Sequence, residues 1–242
     1  MLRSSKIKIV PEICIDNKDK KITAAQVAAI FGVLAETRSA TLKVLECFNT
    51  DNTAVPPTVL VRVLSRLESV ALYSRFHTTH LTTDQLTSLY RIMAEDGALR
   101  LKELKTYWND HSAVASDIIV AALSRLERLE MIEVDLTPSQ LTDIYQVMAE
   151  GGYSSLRVLI MRRNDHSAVP SDLLLPAIKV LESVELYGAY LTTEQLTGIY
   201  EMVAERRTGN LKEITIHDGN DHSVVPESIR RRAELNKGVQ IK

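Results

Sequence analysis

Aliphatic residues recur along this chain in the pattern Leu-x-x-Leu-x-Leu, and polar turn residues follow most copies. Seven copies of the pattern begin at Leu42, Leu67, Leu101, Leu126, Leu156, Leu181 and Leu211. Alternation of apolar and polar positions over a few residues is typical of a strand with one buried face. Each copy therefore predicts a short β-strand whose aliphatic side chains point into a core. Ile13 with Ile15, and Val239 with Ile241, predict two further strands near the ends of the chain.

Helices are predicted after alternate strands, where Thr-x-x-Gln precedes an apolar stripe. The threonines of the four copies are Thr23, Thr82, Thr137 and Thr192. A threonine hydroxyl can accept from the free N–H groups of a first helical turn while the glutamine reaches back, which makes a capping box. In the last copy, LTTEQLTGIYEMVAE, apolar residues between Leu196 and Val203 are spaced i, i+3, i+4 and i+7, which is the spacing of one helical face. Tyr90, Tyr145 and Tyr200 recur in this face and are predicted to pack against the sheet.

These patterns repeat with a period of about 55 residues. The sequence NDHSAV at 109–114 returns at 164–169, and it returns again as NDHSVV at 220–225. Each period contains two units, one of 25 residues from Leu101 to Leu126 and one of about 30 residues from Leu126 to Leu156. Self-similarity on this scale indicates a solenoid, in which each unit buries its leucines only against its neighbours.

The repeat resembles the signature of the leucine-rich repeat family, Leu-x-x-Leu-x-Leu-x-x-Asn, with Asn109 and Asn164 at the asparagine position. Alternating unit types, with helices in the longer ones, are similar to the ribonuclease-inhibitor-like subclass, which also forms the sensing arrays of NOD-like receptors. The resemblance implies an α/β horseshoe solenoid with a parallel inner sheet of eight to nine strands and helices on the convex side. We expect one domain over 1–242, with an N-terminal edge at 1–9 and a C-terminal capping segment at 226–242.

The bulk composition is that of an ordinary globular protein, with 45% hydrophobic residues, 25% charged residues and a formal net charge of -2. Nucleic acid is disfavoured as a partner because phosphate binding needs clustered lysine and arginine. The sequence has no run of about 18 uncharged apolar residues and no visible export signal, so we expect a soluble, cytoplasmic chain without membrane contact. The strand register places Cys14 and Cys47 on opposite faces of the sheet, which argues against a disulfide between them.

The histidines of the NDHSAV copies, His111, His166 and His222, are predicted to be scaffold. Two strands separate successive copies, so these side chains should lie roughly 10 Å apart, too far to share a zinc ion. A turn that follows each strand is the favoured interpretation, and three separate copies of a small ligand site are the alternative. His77 and His80, in an insertion at 74–80, are read as a chance pair of loop residues. No phosphate loop, dinucleotide fingerprint, nucleophile elbow or Cys-x-x-Cys occurs, so we predict no catalytic residue, metal or cofactor, and no enzyme.

Two columns on the inner face of the sheet follow from the register. The position after each first leucine alternates in charge and is predicted to be scaffold: Lys43, Glu68, Lys102, Glu127, Arg157, Glu182 and Lys212. The position after each third leucine is rich in aromatic residues, and with its neighbours it gives the predicted binding residues Phe48, Tyr73, Tyr107, Trp108, Ile132, Arg162, Arg163 and Tyr187. Tyrosine, tryptophan and arginine dominate binding hot spots.

The favoured function is therefore a non-enzymatic scaffold that binds a protein or peptide of mixed or mildly basic surface. In the alternative interpretation of the column, its rings merely shield neighbouring backbone. The alternative function is a structural protein that self-associates weakly through the ends of the solenoid, although the run Arg230, Arg231 and Arg232 is polar enough to act as a cap.

Overall fold

The computed structural model describes residues 11–19, 22–37, 41–73, 81–95, 100–217, 219–236 and 239–241. Its nine strands form a single open sheet in which each strand pairs in parallel with the next along the chain. The strands are β1 (Glu12–Asp16), β2 (Val44–Phe48), β3 (Ser69–Tyr73), β4 (Glu103–Tyr107), β5 (Arg128–Ile132), β6 (Val158–Arg162), β7 (Ser183–Glu185), β8 (Glu213–Thr215) and β9 (Gln240–Ile241). The two predicted terminal strands are thus β1 and β9.

One α-helix lies in each connection between successive strands. The helices are α1 (Ala24–Glu36), α2 (Pro57–Leu64), α3 (Thr83–Ala94), α4 (Ser116–Leu123), α5 (Pro138–Ala149), α6 (Ser171–Lys179), α7 (Thr193–Ala204) and α8 (Glu227–Glu234), and a 3-10 turn covers His222–Val224. Neighbouring helices pack against each other in chain order. The predicted α/β solenoid with a parallel inner sheet is confirmed.

The alternation of unit length comes from the helices. The helices after odd-numbered strands have 12 or 13 residues, whereas α2, α4, α6 and α8 have only eight or nine. All four predicted capping boxes are present, since each threonine accepts from the backbone N–H of its glutamine and each glutamine accepts from the backbone N–H of its threonine. Local sequence therefore determines where each long helix begins.

The core lies between the sheet and the helices and is filled by the repeating aliphatic residues. Leu45, Leu104, Leu129 and Leu159, which occupy the same position in four units, are completely buried. Tyr90 and Tyr145 are also completely buried, as the helical spacing predicted, and Tyr200 is nearly so. Each unit contributes one layer to a continuous core, so no unit has a separate core of its own.

The C-terminal helix and the two cysteines have well-defined surroundings in the fold. In the C-terminal segment at 226–242, α8 packs on α7 with Ala233 buried and with Arg231 and Arg232 exposed. Cys14 is exposed and Cys47 is buried, and both are free thiols. The expected N-terminal edge at 1–9 and the insertion at 74–80, which contains His77 and His80, lie outside the described residues. No described helix combines the length and the apolar character that crossing a bilayer requires.

Candidate functional site

The face of the sheet that the helices leave uncovered, here called the open face, carries a continuous row of large side chains. Phe48, Tyr73, Tyr107, Ile132 and Arg162 pair directly across β2 to β6 as partners in the register. We call these five residues the stripe. None of the stripe's three aromatic residues, nor Ile132, belongs to the core between sheet and helices. The stripe lies there because side chains alternate along a strand, so the residue that directly follows an inward-facing position points away from the core.

The aromatic rings of the stripe stack on one another. The ring centroids of Phe48 and Tyr73 are 4.3 Å apart with planes at 19°, and those of Tyr73 and Tyr107 are 3.8 Å apart with planes at 34°. This stacking covers Tyr107, of which only 9% is exposed, and the adjacent Ile132 is only 7% exposed. Two of the predicted binding residues are therefore largely covered by their neighbours in the sheet.

The last predicted stripe residue, Tyr187, lies outside a strand. β7 ends at Glu185, and Tyr187 begins the turn that follows. The backbone nevertheless continues the pairing of the sheet, because the N–H of Arg163 donates to the carbonyl of Tyr187 at 2.7 Å. Tyr187 is half-buried. It therefore extends the stripe by one unit as a turn residue and not as a strand residue.

A second row follows the stripe by one residue and has an unusual backbone conformation. Asn49, Trp108, Glu133 and Arg163 have φ between 51° and 57°, and Gly188 in the same row has φ of 61°. The left-handed region costs a non-glycine residue on the order of 1 kcal/mol or more. Each of these residues donates its N–H to a carbonyl at the end of the next strand or just beyond it, over 2.7 to 3.0 Å, which holds the conformation. We call this row the strand exits.

The left-handed turn brings Trp108 beside the stripe, where its ring centroid lies 6.1 Å from that of Tyr107. Glu133 then fixes two neighbouring strand exits at once. Its carboxylate accepts from the indole Nε1 of Trp108 at 2.7 Å and pairs with the guanidinium of Arg163 at 2.5 Å. The carboxylate of Glu133 raises the pKa of the Arg163 guanidinium, which therefore stays charged. Trp108 is half-buried and Arg163 is exposed, so both side chains are held in place while still open to a partner.

A buried carboxylate, that of Glu130, organises the centre of the open face. Glu130 is only 8% exposed; it accepts from the hydroxyl of Tyr107 and pairs with Arg128 at 3.6 Å. Burial and the hydrogen bond to Glu130 raise the pKa of the Tyr107 hydroxyl. One unit further on, the Nε of Arg162 lies 2.5 Å from Glu185, which raises the pKa of that guanidinium. In the middle of the open face, the carboxylates of Glu130 and Glu185 are thus paired with arginines of the same face.

Sequence reasoning did not select Glu130 or Glu133 as organisers of the site, and it missed Tyr190. Tyr190 is 56% exposed and has φ of 52°. A Cβ atom at Gly219 would lie 3.5 Å from the Tyr190 ring, so the turn of the next unit runs directly alongside this ring. The only sequence signal was the position itself, which comes three residues after Tyr187.

The charged column that was predicted as scaffold forms ion pairs along the edge of the open face. Lys43 pairs with Glu68 at 2.9 Å, Lys102 with Glu127 at 2.6 Å and Arg157 with Glu182 at 3.5 Å, and Glu182 also pairs with Lys212. These side chains are largely exposed, and exposed pairs are worth less than about 1 kcal/mol each. The column therefore contributes order across the strands and little stability.

The NDHSAV turns are built by side chains that satisfy their own backbone. Asp110 accepts from the N–H of Ser112 at 2.9 Å, which closes the turn, and Asp51, Asp165 and Asp221 do the same in the other copies. His111 is completely buried, and its Nδ1 lies 2.6 Å from the carbonyl of Asn109. A carbonyl only accepts, so Nδ1 carries the proton. Burial lowers the pKa of this imidazole, and in the neutral ring Nε2 is then unprotonated.

His166 repeats the arrangement of His111. It is completely buried, with Nδ1 at 2.6 Å from the carbonyl of Asn164. Burial lowers the pKa of its imidazole to about 4, so this ring is neutral at pH 7. His222 differs, because its Nδ1 lies 2.9 Å from the hydroxyl of Tyr200 and the residue is only half-buried. The two buried histidines therefore lie inside the scaffold, as the turn interpretation expects.

The glutamines of the capping boxes at α3, α5 and α7 have a second contact that joins two units. Nε2 of Gln140 donates to the carbonyls of His111 and Val114 at 2.8 and 2.6 Å, in the turn of the preceding unit. Gln85 and Gln195 make the equivalent pairs of bonds, each to the turn of the unit that precedes its own. One buried side chain thus caps a helix with its oxygen and satisfies two turn carbonyls with its nitrogen.

Comparison with known proteins gives no family for this chain: no family model matches it, and no match was found among curated proteins. The described residues contain no group of three or more histidine, cysteine or acidic side chains placed to hold a metal ion. What the chain does must therefore be inferred from the surface that the fold presents.

Proposed function

We propose that this chain is a non-enzymatic protein-binding scaffold of the leucine-rich repeat type, similar to the ribonuclease-inhibitor-like subclass, that works in the cytoplasm. Its role is that of an inhibitor, an adaptor or the sensing part of an immune-type receptor. The observation that supports this proposal is the stripe, an in-register row of large side chains across five adjacent strands on the open face. The proposed binding residues are Phe48, Tyr73, Tyr107, Trp108, Ile132, Arg162, Arg163 and Tyr187.

The size and rigidity of the stripe suit a protein or peptide. Adjacent strands are about 4.8 Å apart, so five strands span about 20 Å, which matches about six residues of an extended peptide. Stacking of Phe48 on Tyr73, and the hold of Glu133 on Trp108, fix the side chains before a partner arrives. Groups that are already ordered lose less conformational entropy on binding, which favours affinity.

Different residues of the stripe contribute in different ways. Phe48, Tyr73, Trp108 and Arg162 retain partly exposed surface, and Arg163 is exposed, so these residues contact the partner directly. Tyr107 and Ile132 are covered and support their neighbours from beneath. Tryptophan and arginine are enriched among the residues whose truncation weakens complexes by more than about 2 kcal/mol. The half-buried Trp108, which is the only tryptophan of the chain, is therefore the strongest candidate anchor.

Affinity capture from native lysate with wild type and the Trp108→Ala variant tests the proposal, followed by measurement of Kd on the captured partner in purified form. We expect the variant to bind at least about 30-fold more weakly, which corresponds to about 2 kcal/mol. Val33→Ala is the matched control, because Val33 is 58% exposed on α1 and away from the open face, and it should bind as wild type does. Circular dichroism establishes that both variants fold. A partner that binds the Trp108 variant with unchanged Kd contradicts the proposal.

Self-association through the ends of the solenoid is the second candidate function. It is favoured by the open form of the sheet, whose first described strand, β1, pairs with a neighbour on one side only in the described part of the chain. An unpaired strand edge can pair with another chain. Sedimentation velocity at several concentrations tests this candidate, and a sedimentation coefficient that does not change with concentration removes it.

A further inference from the structure

The two halves of the open face differ in how they neutralise charge, and this difference indicates what kind of partner fits. Building on the proposed function, we propose that the partner places a basic segment over β1 to β3, with lysine or arginine side chains that reach the carboxylates of Asp16 and Glu46. The aliphatic stems of these side chains would then lie along the rings of Phe48 and Tyr73.

The β1–β3 half of the open face carries carboxylates and no cation. Its nine open-face positions are Glu12, Cys14, Asp16, Val44, Glu46, Phe48, Ser69, Ala71 and Tyr73. Three of these nine residues are acidic and none is lysine or arginine. Glu46 pairs in register with Cys14, and Phe48 pairs with Asp16, so two of the carboxylates border the aromatic end of the stripe. We call these nine positions the acidic half.

The carboxylates of the acidic half have no cationic partner among the described residues. No described lysine or arginine forms an ion pair with Glu12, Asp16 or Glu46. Within the described part of the chain, Asp16 accepts from the backbone N–H of Lys18 and, at 3.5 Å, from the side chain of Asn49. The negative charges of all three carboxylates act on the Cys14 thiol. Burial raises the pKa of this thiol, and Glu46, Asp16 and Glu12 raise it further.

From β5 to β7, by contrast, three carboxylates of the open face are already paired with arginine. Glu130 pairs with Arg128, Glu133 with Arg163, and Glu185 with Arg162. A cation from outside would have to displace an existing arginine there, which removes most of the gain. Incoming positive charge therefore favours the acidic half, where the attraction is not yet satisfied.

Among the described residues, no cation fills the acidic half. Lys43 lies at its edge, but its ammonium is 2.9 Å from Glu68 in the charged column. Lys105, on β4, pairs in register with Ala71 and therefore marks the boundary of the acidic half. Lys18 follows the end of β1 and is exposed. Within the described chain, the region between these three lysines contains only negative and uncharged side chains on the open face.

The chemistry of the surface selects lysine and arginine over other groups. Phe48 and Tyr73 form a stacked pair of rings that is only half-buried, and aromatic faces attract cations. Long basic side chains also bury their methylene stems on apolar surface while the charged end stays in water. Tyr73 stacks between Phe48 and Tyr107, so the free ring face is that of Phe48, which has Asp16 opposite it on β1 and Glu46 two residues before it on β2. This arrangement offers both the contacts that such a side chain can make.

Two fluorescein-labelled peptides test the inference by fluorescence polarisation, one of nine residues that alternates lysine with leucine and one in which glutamate replaces lysine. We expect the lysine peptide to bind wild type at least tenfold more tightly than the glutamate peptide. The variant Asp16→Asn/Glu46→Gln should bind the lysine peptide at least fivefold more weakly. Glu127→Gln, which removes an exposed carboxylate of the charged column, should change its Kd by less than twofold. Asparagine at position 16 keeps the oxygen that accepts from Lys18, and circular dichroism checks the fold of each variant.

Trp108→Ala separates the failure of this inference from failure of the proposed function. One outcome overturns the inference alone: Trp108→Ala weakens capture of the natural partner, while Asp16→Asn/Glu46→Gln changes the binding of neither that partner nor the lysine peptide. The open face would then bind a partner, but not through a basic segment. Equal loss of lysine-peptide binding in the Glu127→Gln control also overturns it, because the attraction would then be diffuse. Unchanged capture by both Trp108→Ala and the double variant removes the proposed function together with the inference.

Discussion

Mild acid is expected to weaken the fold through the buried His166. Burial lowers the pKa of its imidazole from 6.5 to about 4, although the carbonyl of Asn164 and the charge of Asp165 act in the opposite direction. In the unfolded chain the imidazole regains its ordinary pKa of about 6.5. The unfolded chain therefore binds the proton first as the pH falls. The stability contributed by neutral His166 is complete above about pH 6.5 and is lost between about pH 6.5 and pH 4.

The size of this effect follows from the two pKa values. A shift of about 2.5 units corresponds to about 3.4 kcal/mol when the loss is complete, and about 2 kcal/mol of this is lost by pH 5. The pKa of His111, which is buried in the same way one period earlier, is also lowered by burial, so its contribution has the same sign. Because a domain typically has only about 5 to 15 kcal/mol of stability, either loss is measurable.

His166→Asn removes the titrating group and uses the residue that the first copy of the turn already has at Asn52, which is 3% exposed. Urea unfolding of wild type and variant at pH 7.5 and pH 5.0, followed by circular dichroism and by the fluorescence of Trp108, gives the free energy of unfolding. We expect the wild type to lose about 2 kcal/mol more than the variant between these pH values. At pH 7.5 the variant should bind a partner as wild type does.

His217→Asn is the control for this experiment, because it removes an exposed histidine and should leave the acid dependence of wild type unchanged. Carboxylates that are remote from His166 titrate equally in wild type and variants, so their contribution cancels in the difference. If His166→Asn loses as much stability as wild type on acidification, the ring is not buried in neutral form, and the reasoning is wrong. A large loss of partner binding in the same variant at pH 7.5 would restore the interpretation of these turns as ligand sites.

Three further substitutions test how the scaffold is held together, each by the urea midpoint. Gln140→Ala removes a helix cap, takes the side-chain donor from the carbonyl of Val114 and leaves the carbonyl of His111 with the backbone N–H of Val114 alone, so it should cost about 2 to 4 kcal/mol. Gln146→Ala on the exposed side of the same helix should cost less than about 0.5 kcal/mol. Tyr145→Phe should change stability by less than about 0.5 kcal/mol, because the hydroxyl has no hydrogen-bond partner among the described residues; a loss above 1 would reveal a partner. Gly209→Ala should cost about 2 kcal/mol or more, because φ of Gly209 is 60° and the new Cβ would lie 2.5 Å from a carbonyl oxygen. In the control Gly32→Ala, inside α1, the new Cβ meets nothing within 4 Å, so this substitution should stabilise the fold by about 0.5 to 1 kcal/mol.

Local sequence was sufficient to predict most of the fold. The aliphatic periodicity that fixes the strands, and the capping boxes at Thr82 and Thr137, depend on residues within one turn or one strand of each other. The repeat strengthened this prediction, because the same short pattern had to predict the same strand or helix in each copy. The parallel order of the strands followed, since a repeated unit can bury its leucines only by stacking on its neighbours.

The details of the candidate site depend on contacts that the sequence does not display. The cover over Tyr107 comes from Tyr73, which is 34 residues away in the chain, and the hold on Trp108 comes from Glu133, which is 25 residues away. The strand register predicted that these residues share a face. The exposed area of each side chain, however, depends on the orientation of its ring and on the left-handed backbone at Trp108. No local preference predicts a tryptophan in that conformation, because it is imposed by the hydrogen bond to the next strand.

The side chains of Gln85, Gln140 and Gln195 join the units in pairs, and this has a mechanical consequence. Each of these glutamines links a short unit to the long unit after it, so the two units, about 55 residues together, should unfold in one step under force. Pulling on the two ends of a single molecule with optical tweezers should then release chain in increments of about 190 Å of contour length, the span of 55 extended residues. Gln140→Ala should split the central increment into two smaller ones and leave the others whole.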